Sequence, residues 1–291
     1  MIPPRFEYHA PVSLDEAVGL LERYEGDAKV LAGGQSLIPI LKLRLAEPRA
    51  LIDINRIPNL AYIREDNEFL RIGALTRANE LLDSSMIQEK YPILTEAADD
   101  IADPVVRNMG TVGGNVSHGD PANDLPACML ALGAWFDARG PRGLRTIPAG
   151  EFYQSTFVTA LEPSEILTEI RIPKARARQG NAYSKLEKRV GDFPIAGVAA
   201  NLFLSPKGTI ETAGIGLTAV APTARVAKEA AESLHGREPT EDVIRRAASL
   251  AMGAAQPTSD LRGPADYKRA MVGVLARRAL TLAVKRARGG G

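Results

Sequence analysis

The sequence predicts an α+β protein of two domains, and three observations lead to that prediction. Its 291 residues exceed what one ordinary core of about 100–200 residues needs. Hydrophobic and charged residues make up 45% and 24% of the chain, proportions that are typical of globular proteins. Short apolar runs and amphipathic segments interleave without the regular rhythm of βαβ units, which favours α+β over a doubly wound sheet.

The first 175 residues carry strand and helix patterns in mixed order. A capping-box sequence at residues 13–16 predicts the start of a helix that runs to Tyr24, with Gly26 as its stop signal. Asp103-Pro104 is expected to end a later helix, because proline disfavours helical geometry in the residue before it. The other predicted elements are strands at 29–32, 51–54 and 69–72, helices at 79–82, 93–101 and from 123 or 124 to 132, and a hairpin of strands 135–138 and 144–147.

After residue 173 the pattern changes to strands followed by helices. The sequences Gly-Asp-Phe-Pro and Ser-Pro-Lys-Gly separate three strand-like runs, which suits an antiparallel meander. We therefore expect a small α+β unit, in which a three-stranded antiparallel sheet carries helices on one face. The predicted strands are 181–190, 195–204 and 209–219, and the predicted helices are 224–234, 241–252 and 267–284.

The basic stretch at residues 174–178 is the most linker-like part of the chain. We predict one domain at residues 1–175, divided into two subdomains near residues 55–65, and a second domain at 176–291. Residues 286–291 are expected to form a frayed tail because of their terminal position. The first domain carries 17 basic and 25 acidic residues and the second carries 19 and 10, so the total charge of +1 conceals halves of −8 and +9. Opposite charges support the boundary and favour docking of the two domains.

Composition excludes several classes of protein. The single cysteine, Cys128, rules out an internal disulfide and a Cys₄ zinc or iron–sulfur site on this chain, and we expect it to be buried. Three scattered histidines disfavour a metal site. The basic second half lacks a recognition motif, so protein partners are favoured over nucleic acid. No apolar run approaches the roughly 20 residues of a membrane span and residues 1–4 lack a signal-peptide core, which predicts a cytoplasmic protein.

Two glycine-centred segments, 32–36 and 111–115, are the candidate anion-binding elements. Paired glycines let backbone amides converge on an anion without obstruction by a Cβ atom. The hydroxyls of Ser36 and Thr111 and the amide of Asn115 add further polar groups. Each glycine pair is equally compatible with a plain tight turn. Neither segment matches G-x-G-x-x-G or G-x-x-x-x-G-K-[ST], which disfavours a Rossmann dinucleotide site and a P-loop nucleotide triphosphatase.

Three strings resemble the FAD-binding medium subunit of molybdenum-containing hydroxylases, the family of carbon monoxide dehydrogenase and xanthine dehydrogenase. They are Ala-Gly-Gly-Gln-Ser at 32–36, Val-Arg-Asn-Met-Gly-Thr-Val-Gly-Gly-Asn at 106–115 and Gly-Asp-Pro-Ala-Asn-Asp-Leu-Pro at 119–126. The resemblance extends over essentially the whole chain. It implies a vanillyl-alcohol-oxidase/PCMH-like fold, with FAD between two subdomains of the first half and its pyrophosphate on segments 33–36 and 111–115.

The resemblance also implies which residues bind the cofactor, and it implies no catalytic residue and no metal ligand on this chain. Many family members have His where this chain has Gln35, which donates a hydrogen bond but does not titrate. The implied cofactor-binding residues are Ala32, Gly33, Gly34, Gln35, Ser36, Leu37, Thr111, Gly113, Gly114, Asn115, Ser117, Asp124 and Lys185.

Several of these residues have a second interpretation. Asp124 matches an aspartate that holds the ribityl or ring end of the flavin, and its alternative role is a helix N-cap. Lys185 matches a lysine that reaches the flavin from the second domain, and its alternative is an exposed strand lysine. We expect Arg107 and Asn108 to brace their loop. Asp192 either pins its turn to the first domain or forms a simple Asx-turn.

The function that the resemblance implies is electron relay. FAD would take electrons from [2Fe–2S] clusters on a small subunit, while substrate is oxidised on a large molybdopterin subunit, in a dimer of heterotrimers. The acceptor would be a quinone, NAD or oxygen, and the complex would be cytoplasmic, with contact to the inner face of the membrane possible. A stand-alone FAD-dependent oxidase or dehydrogenase and a non-catalytic assembly scaffold are the alternatives.

Overall fold

A computed structural model describes residues 2–290 and contains helices and strands in mixed order, so the predicted α+β class is confirmed. Up to residue 90 the elements are β1 (Glu7–His9), α1 (Leu14–Arg23), β2 (Ala28–Leu31), α2 (Leu37–Lys42), β3 (Ala50–Asp53), β4 (Ile63–Glu65), β5 (Phe69–Gly73), α3 (Ala78–Asp83) and α4 (Ser85–Lys90). From there to residue 173 they are α5 (Pro92–Asp99), α6 (Pro104–Met109), α7 (Val112–Ser117), α8 (Asp124–Leu132), β6 (Trp135–Gly140), β7 (Gly143–Pro148), α9 (Ala149–Phe152), β8 (Tyr153–Ser155), β9 (Val158–Thr159) and β10 (Ile166–Pro173). The remaining elements are β11 (Gln179–Leu186), β12 (Ala196–Leu204), β13 (Ile210–Thr218), β14 (Arg225–Val226), α10 (Lys228–Leu234), α11 (Glu241–Ala254) and α12 (Ala265–Ala287).

Three larger sheets organise most of these elements, and β8 and β9 form a separate two-stranded sheet. A small parallel sheet has the strand order β1-β3-β2 and packs against α1. An antiparallel sheet of five strands, β4-β5-β10-β6-β7, brings together strands far apart in the chain. The antiparallel sheet β11-β12-β13-β14 carries α10, α11 and α12 over one face. The boundary at residue 175 and the subdivision near residues 55–65 remain predictions.

Helix α1 illustrates how local chemistry determines an element. The side chain of Ser13 accepts a hydrogen bond from the amide of Glu16 at 3.2 Å, as the capping-box sequence predicts. The Glu16 carboxylate reaches back one residue further than expected, because it accepts from the amide of Val12 at 3.0 Å. Ala17, Val18 and Leu21 form the buried face of the helix.

Helix α8 is buried along its whole length because it lies between the five-stranded sheet and the sheet β11-β12-β13-β14. One side packs into the core of the five-stranded sheet, and the other lies on strand β13. A Cβ atom at Gly214 would overlap the backbone oxygen of Ala131, and one at Gly216 would overlap that of Ala127. The helix and the strand therefore meet backbone to backbone, which only glycine permits at these two positions.

The sheet in the second half of the chain, β11-β12-β13-β14, has four strands and not the predicted three. The added strand β14 pairs with β13 through Gly216 and Val226, so α10 begins at Lys228 and not near residue 224. Strand β11 ends at Leu186, four residues earlier than predicted, and a loop follows it. These differences arise from tertiary pairing, which the local pattern does not contain.

Other predictions for single segments were wrong for physical reasons that the structure makes clear. Helix α5 ends at Asp99, and Asp103 caps the next helix by accepting from the amide of Val106 at 2.9 Å. Proline is favoured at the first position of a helix, so Pro104 starts α6. Arg286 is helical and forms an ion pair with Glu96 at 2.6 Å, so the tail does not fray there; residue 291 lies outside the described residues. Helices α2, α4, α6, α7 and α9 were not predicted.

The described residues include neither a helix suited to span a membrane nor a cluster of metal-binding side chains. Among residues 2–290, no helix combines the length and the apolar composition that a membrane crossing requires. The same residues contain no group of three or more His, Cys, Asp or Glu side chains that is arranged to hold a metal ion.

The contact between α8 and β13 leads to a first prediction. Gly216→Ala should lower the free energy of unfolding by about 1–3 kcal/mol, because the added methyl group forces the helix away from the strand. Urea denaturation of the full chain measures this change.

The matched control is Gly253→Ala in α11, where an added Cβ atom meets no other atom within 4 Å. Alanine in a helix interior should leave the stability unchanged or raise it by roughly 0.5–1 kcal/mol. Equal denaturation midpoints for Gly216→Ala and the unmodified chain would show that the contact is not tight.

Candidate functional site

A cavity of about 780 Å³ lies between the parallel sheet, the five-stranded sheet and helices α7 and α8. Its size falls within the ~300–1,000 Å³ range of ligand pockets. The loop at residues 191–193, from the second half of the chain, forms part of its wall. Of the sequence-predicted site residues, those that line the cavity are Ala32, Gly33, Gly34, Gln35, Ser36, Leu37, Thr111, Gly113, Gly114, Asn115, Ser117 and Asp124.

The loop between β2 and α2 presents free backbone amides to this cavity. No acceptor within residues 2–290 takes a hydrogen bond from the amides of residues 33–37. Gly34 has a φ of +72°, a left-handed conformation that glycine adopts without strain. The Ser36 side chain makes no capping bond, so its hydroxyl adds another donor. Consecutive amides of this kind form a concave site for an anion.

Gly33 has a second role that the sequence did not indicate. A Cβ atom at this position would overlap the backbone oxygen of Met109 at the end of α6. The loop after β2 therefore packs directly on the loop that precedes α7. The Gln35 side chain donates to the backbone oxygen of Gly33 at 3.1 Å, which holds the turn in shape.

The second glycine pair lies in a short helix, so its interpretation as a tight turn is wrong. Thr111 caps α7 by accepting from the amide of Gly114 at 3.0 Å. The amide of Gly113 donates to Ala74 at 2.9 Å, and that of Asn115 donates to Thr111 at 2.9 Å. The amides of residues 112–115 therefore already have acceptors within the chain, and the binding of an anion by segment 111–115 stays a prediction.

Glycine is still required in α7, because the helix packs closely on its neighbours. A Cβ atom at Gly113 would lie 2.6 Å from the Cβ atom of Ala74, and one at Gly114 would lie 2.6 Å from the Thr111 hydroxyl oxygen. The helix thus brings the Asn115 side chain to the cavity wall. The Oδ1 atom of Asn115 is buried without a hydrogen-bond partner, and it is an acceptor available to a ligand.

Two side chains that the sequence did not single out bind these loops together. The Arg77 guanidinium donates to the backbone oxygen of Met109 and, at 2.8 Å, to the side chain of Asn55. Asn55 in turn donates to the backbone oxygen of Ala32 at 2.8 Å. An arginine before a helix and an asparagine after a strand carry no signal for such a bridge, because their partners are distant in the sequence.

The expected brace at Arg107 and Asn108 is present in the structure. Arg107 donates to the backbone oxygens of Asp99 and Ile101 at 2.9 and 3.0 Å, and Asn108 accepts from the Asn79 side chain. Both residues therefore support the segment before α7.

Asp124 is a titratable group at the cavity whose pKa is strongly shifted. It is the first residue of α8 and not its N-cap, because Asn123 occupies the cap position. Its side chain is 7% exposed, and one carboxylate oxygen accepts from the Tyr183 hydroxyl at 2.6 Å. Burial raises the pKa of Asp124 to about 7, although the nearby Lys185 ammonium and the Tyr183 hydrogen bond act in the opposite direction.

Lys185 is the predicted site residue that does not line the cavity. Its side chain is only 2% exposed, so the alternative of an exposed strand lysine is wrong. The ammonium donates to the backbone oxygen of Asp100 at 2.7 Å and lies 3.4 Å from Asp124 and 3.1 Å from Glu187. Asp124 therefore lines the cavity, and Lys185 contacts Asp124 without lining the cavity itself.

The remaining wall residues are mostly apolar or neutral. His118 lies 5.1 Å from the Phe157 ring, centroid to centroid, and burial lowers its pKa. Asp192 donates its amide to Arg189 at 3.0 Å within a turn, and a Cβ atom at the neighbouring Gly191 would overlap the backbone oxygen of Ala102. This close approach, more than Asp192 itself, seats the turn against the first half of the chain. Cys128 is fully buried, as expected.

The donor set of the cavity fits the FAD that the sequence resemblance implies. Five free amides and the Ser36 hydroxyl match the negative charge of a diphosphate. The unpartnered Asn115 oxygen and the Asp124 carboxylate are acceptors, which suit the hydroxyl and N–H donors of a flavin dinucleotide.

Comparison with known proteins gives the same result for the whole chain. Residues 4–175 match the family model described as the FAD binding domain in molybdopterin dehydrogenase, and residues 181–283 match the CO dehydrogenase flavoprotein C-terminal domain. The chain is 48% identical to the carbon monoxide dehydrogenase medium chain of Hydrogenophaga pseudoflava over 97% of its length and 98% of the relative. It is 46% identical to that of Afipia carboxidovorans over 99% of its length and the full length of the relative.

A solved structure extends this similarity to three dimensions. The structure of carbon monoxide dehydrogenase from Hydrogenophaga pseudoflava, which lacks the Mo-pyranopterin moiety of its cofactor, contains a chain that matches with a TM-score of 0.95 at 50% identity. The match covers 98% of this chain and 99% of that chain. This chain therefore belongs to the family of FAD-binding flavoprotein subunits of molybdenum hydroxylases, together with the medium chains of carbon monoxide dehydrogenase.

Proposed function

We propose that this chain is the electron-relaying subunit of a molybdenum hydroxylase complex. It would hold FAD between a small subunit that carries [2Fe–2S] clusters and an external acceptor such as a quinone, NAD or oxygen. Substrate oxidation would take place on a large molybdopterin subunit. The observation that carries this proposal is the run of free amides at residues 33–37, which opens onto the same cavity as the unpartnered oxygen of Asn115.

The residues of the cavity divide the work of holding the cofactor. The amides of residues 33–37 and the Ser36 hydroxyl would bind the diphosphate. Asn115 and Asp124 would accept hydrogen bonds from hydroxyl or ring N–H groups. FAD supplies the two-electron chemistry when it is bound, and the protein supplies orientation and electrostatics. The Arg77–Asn55 bridge would keep the two loops at the spacing that the cofactor needs.

The proposed partners follow from the relatives and from this chain's composition. The two medium chains named above are components of carbon monoxide dehydrogenase. One cysteine cannot ligate an iron–sulfur cluster, so the clusters must lie on another subunit. We propose that the complex is a dimer of heterotrimers. Carbon monoxide is the first substrate to test, because it is the substrate named for these two relatives.

The full chain purified alone distinguishes this proposal from a stand-alone oxidase. For a relay subunit we expect a yellow protein that takes up one FAD and does not oxidise carbon monoxide or aldehydes without its partners. Turnover of such a donor by the chain alone would favour the oxidase. A chain that takes up no added FAD would contradict both functions.

Gly114→Val tests the role of α7. The new side chain would collide with the Thr111 hydroxyl, 2.6 Å from the position of its Cβ atom, and displace the helix that carries Asn115. We expect the FAD content to fall at least tenfold, measured as flavin absorbance per mole of protein. Gly19→Val in α1 is the control, because a Cβ atom there meets no other atom within 4 Å. Full FAD content in Gly114→Val would contradict this role of α7.

The altered pKa of Asp124 gives a pH prediction. The carboxyl is mostly protonated below pH 7 and mostly ionised above it, since its pKa is raised to about 7. An ionised acceptor makes the stronger hydrogen bond, so FAD affinity should rise about three- to tenfold from pH 6 to pH 8. Fluorescence titration measures the affinity.

Asp124→Asn is the control for this pH dependence, because its side-chain amide does not titrate. We expect its FAD affinity to be nearly flat over the same pH range. The same slope in the variant and the unmodified chain would show that another group is responsible.

A further inference from the structure

The carboxyl of Asp124 is held by a residue from the opposite half of the chain. Tyr183 lies on β11, 59 positions further along, and its hydroxyl donates to Asp124 Oδ1 at 2.6 Å. Tyr183 is 5% exposed and belongs to the core that surrounds α8. Its own amide donates to the Glu96 carboxylate at 2.7 Å, so both the backbone and the ring are fixed.

The neighbouring strands leave a space for this hydroxyl. A Cβ atom at Gly197 on β12 would lie 2.5 Å from the Thr218 methyl and 2.6 Å from the Tyr183 oxygen, so glycine is needed for both side chains to keep their places. The Thr218 hydroxyl on β13 lies 2.6 Å from the backbone oxygen of Asn123 and 2.9 Å from that of Pro121, and its one proton is shared between these two acceptors, which fixes the turn before α8. Strands β11, β12 and β13 thus together determine where the Asp124 carboxyl lies.

The charged and titratable groups that act on Asp124 come from β11 and the loop after it, from α5 and its end, and from α8 itself. Lys185 and the Tyr183 hydroxyl favour the ionised carboxylate, whereas burial and the carboxyl of Asp100 disfavour it. Glu187 contacts Lys185 at 3.1 Å and competes for its ammonium, and Glu96 lies on the far side of Tyr183. Cys128 follows one turn later on α8 and is buried and neutral, since burial raises its pKa.

We propose that Tyr183 is a positioning residue for Asp124: its hydroxyl holds the carboxyl at the cavity wall and favours the ionised form. The second half of the chain would thereby set the hydrogen-bonding state of a group that faces the cofactor. Only the identity of that cofactor rests on the proposed function. The hydrogen bond and its effect on Asp124 belong to the chain itself and can be measured without FAD.

The first test is infrared titration of the full chain without FAD, which follows the C=O band of a protonated carboxyl. The band that Asp124→Asn removes identifies Asp124. In Tyr183→Phe, we expect its titration midpoint to move up by about one pH unit, because a hydrogen bond to a charged group is lost. Tyr62→Phe is the matched control: it removes a 2.5 Å bond from a tyrosine hydroxyl to Glu169, and neither residue lines the cavity.

An unchanged midpoint in Tyr183→Phe would overturn the proposal, as would an equal shift in Tyr62→Phe. Gly197→Ala is a second variant that keeps the hydroxyl, and its added methyl would press on the Tyr183 hydroxyl and on the Thr218 methyl. We expect it to shift the midpoint in the same direction, and a Gly197→Ala chain that folds without this shift would contradict the role of the hydroxyl.

The second test repeats the FAD affinity curve with Tyr183→Phe. The pH at which affinity rises should move upward together with the infrared midpoint, while binding at pH 9 stays within about threefold of that of the unmodified chain. An affinity curve that does not move while the infrared midpoint does would overturn the link to the cofactor. If the unmodified chain binds no FAD, the proposed function fails, and the infrared titration still decides whether Tyr183 controls Asp124.

Discussion

The structure depends on the backbone contact between helix α8 and strand β13. Gly214 and Gly216 let the strand lie directly against the oxygens of Ala131 and Ala127. The contact fixes the position of α8 between the two sheets, and therefore the position of Asp124 at the start of that helix. A side chain of ordinary size at either glycine would move the helix, the turn before it and one wall of the cavity together.

Charge acts across the same junction. The halves of the chain carry net charges of −8 and +9, and the opposite signs meet at identifiable pairs. Glu96 and Arg286 lie 2.6 Å apart, and Asp124 and Lys185 lie 3.4 Å apart. The Asp124–Lys185 pair is nearly sealed from water, where an unpaired charge would be costly. The two halves of the chain therefore pack with opposite charges in contact. One of these charged groups, the Asp124 carboxyl, lines the cavity and has a pKa of about 7.

Features governed by neighbours in sequence were predictable. The start of α1, the end of α8 at Leu132 and the hairpin of β6 and β7 follow from capping residues, apolar spacing and turn residues. Twelve predicted site residues line one cavity. They were predicted from sequence motifs that are specific when they occur together in one chain. What sequence did not reveal was which partner each group would meet. Gly33 serves a loop contact, and Lys185 is covered by Asp124, because both environments form only when distant segments pack.

The burial of α8 on both sides has a consequence for how the protein is made. The helix is complete at Leu132, whereas the strand that covers one of its faces ends at Thr218, about 86 residues later. At ribosomal rates of about 5–20 residues per second, that face waits roughly 4–17 s for its partner. During this interval the apolar face of α8 that β13 later covers is exposed in the nascent chain, and exposed apolar surface of this kind promotes association with other chains.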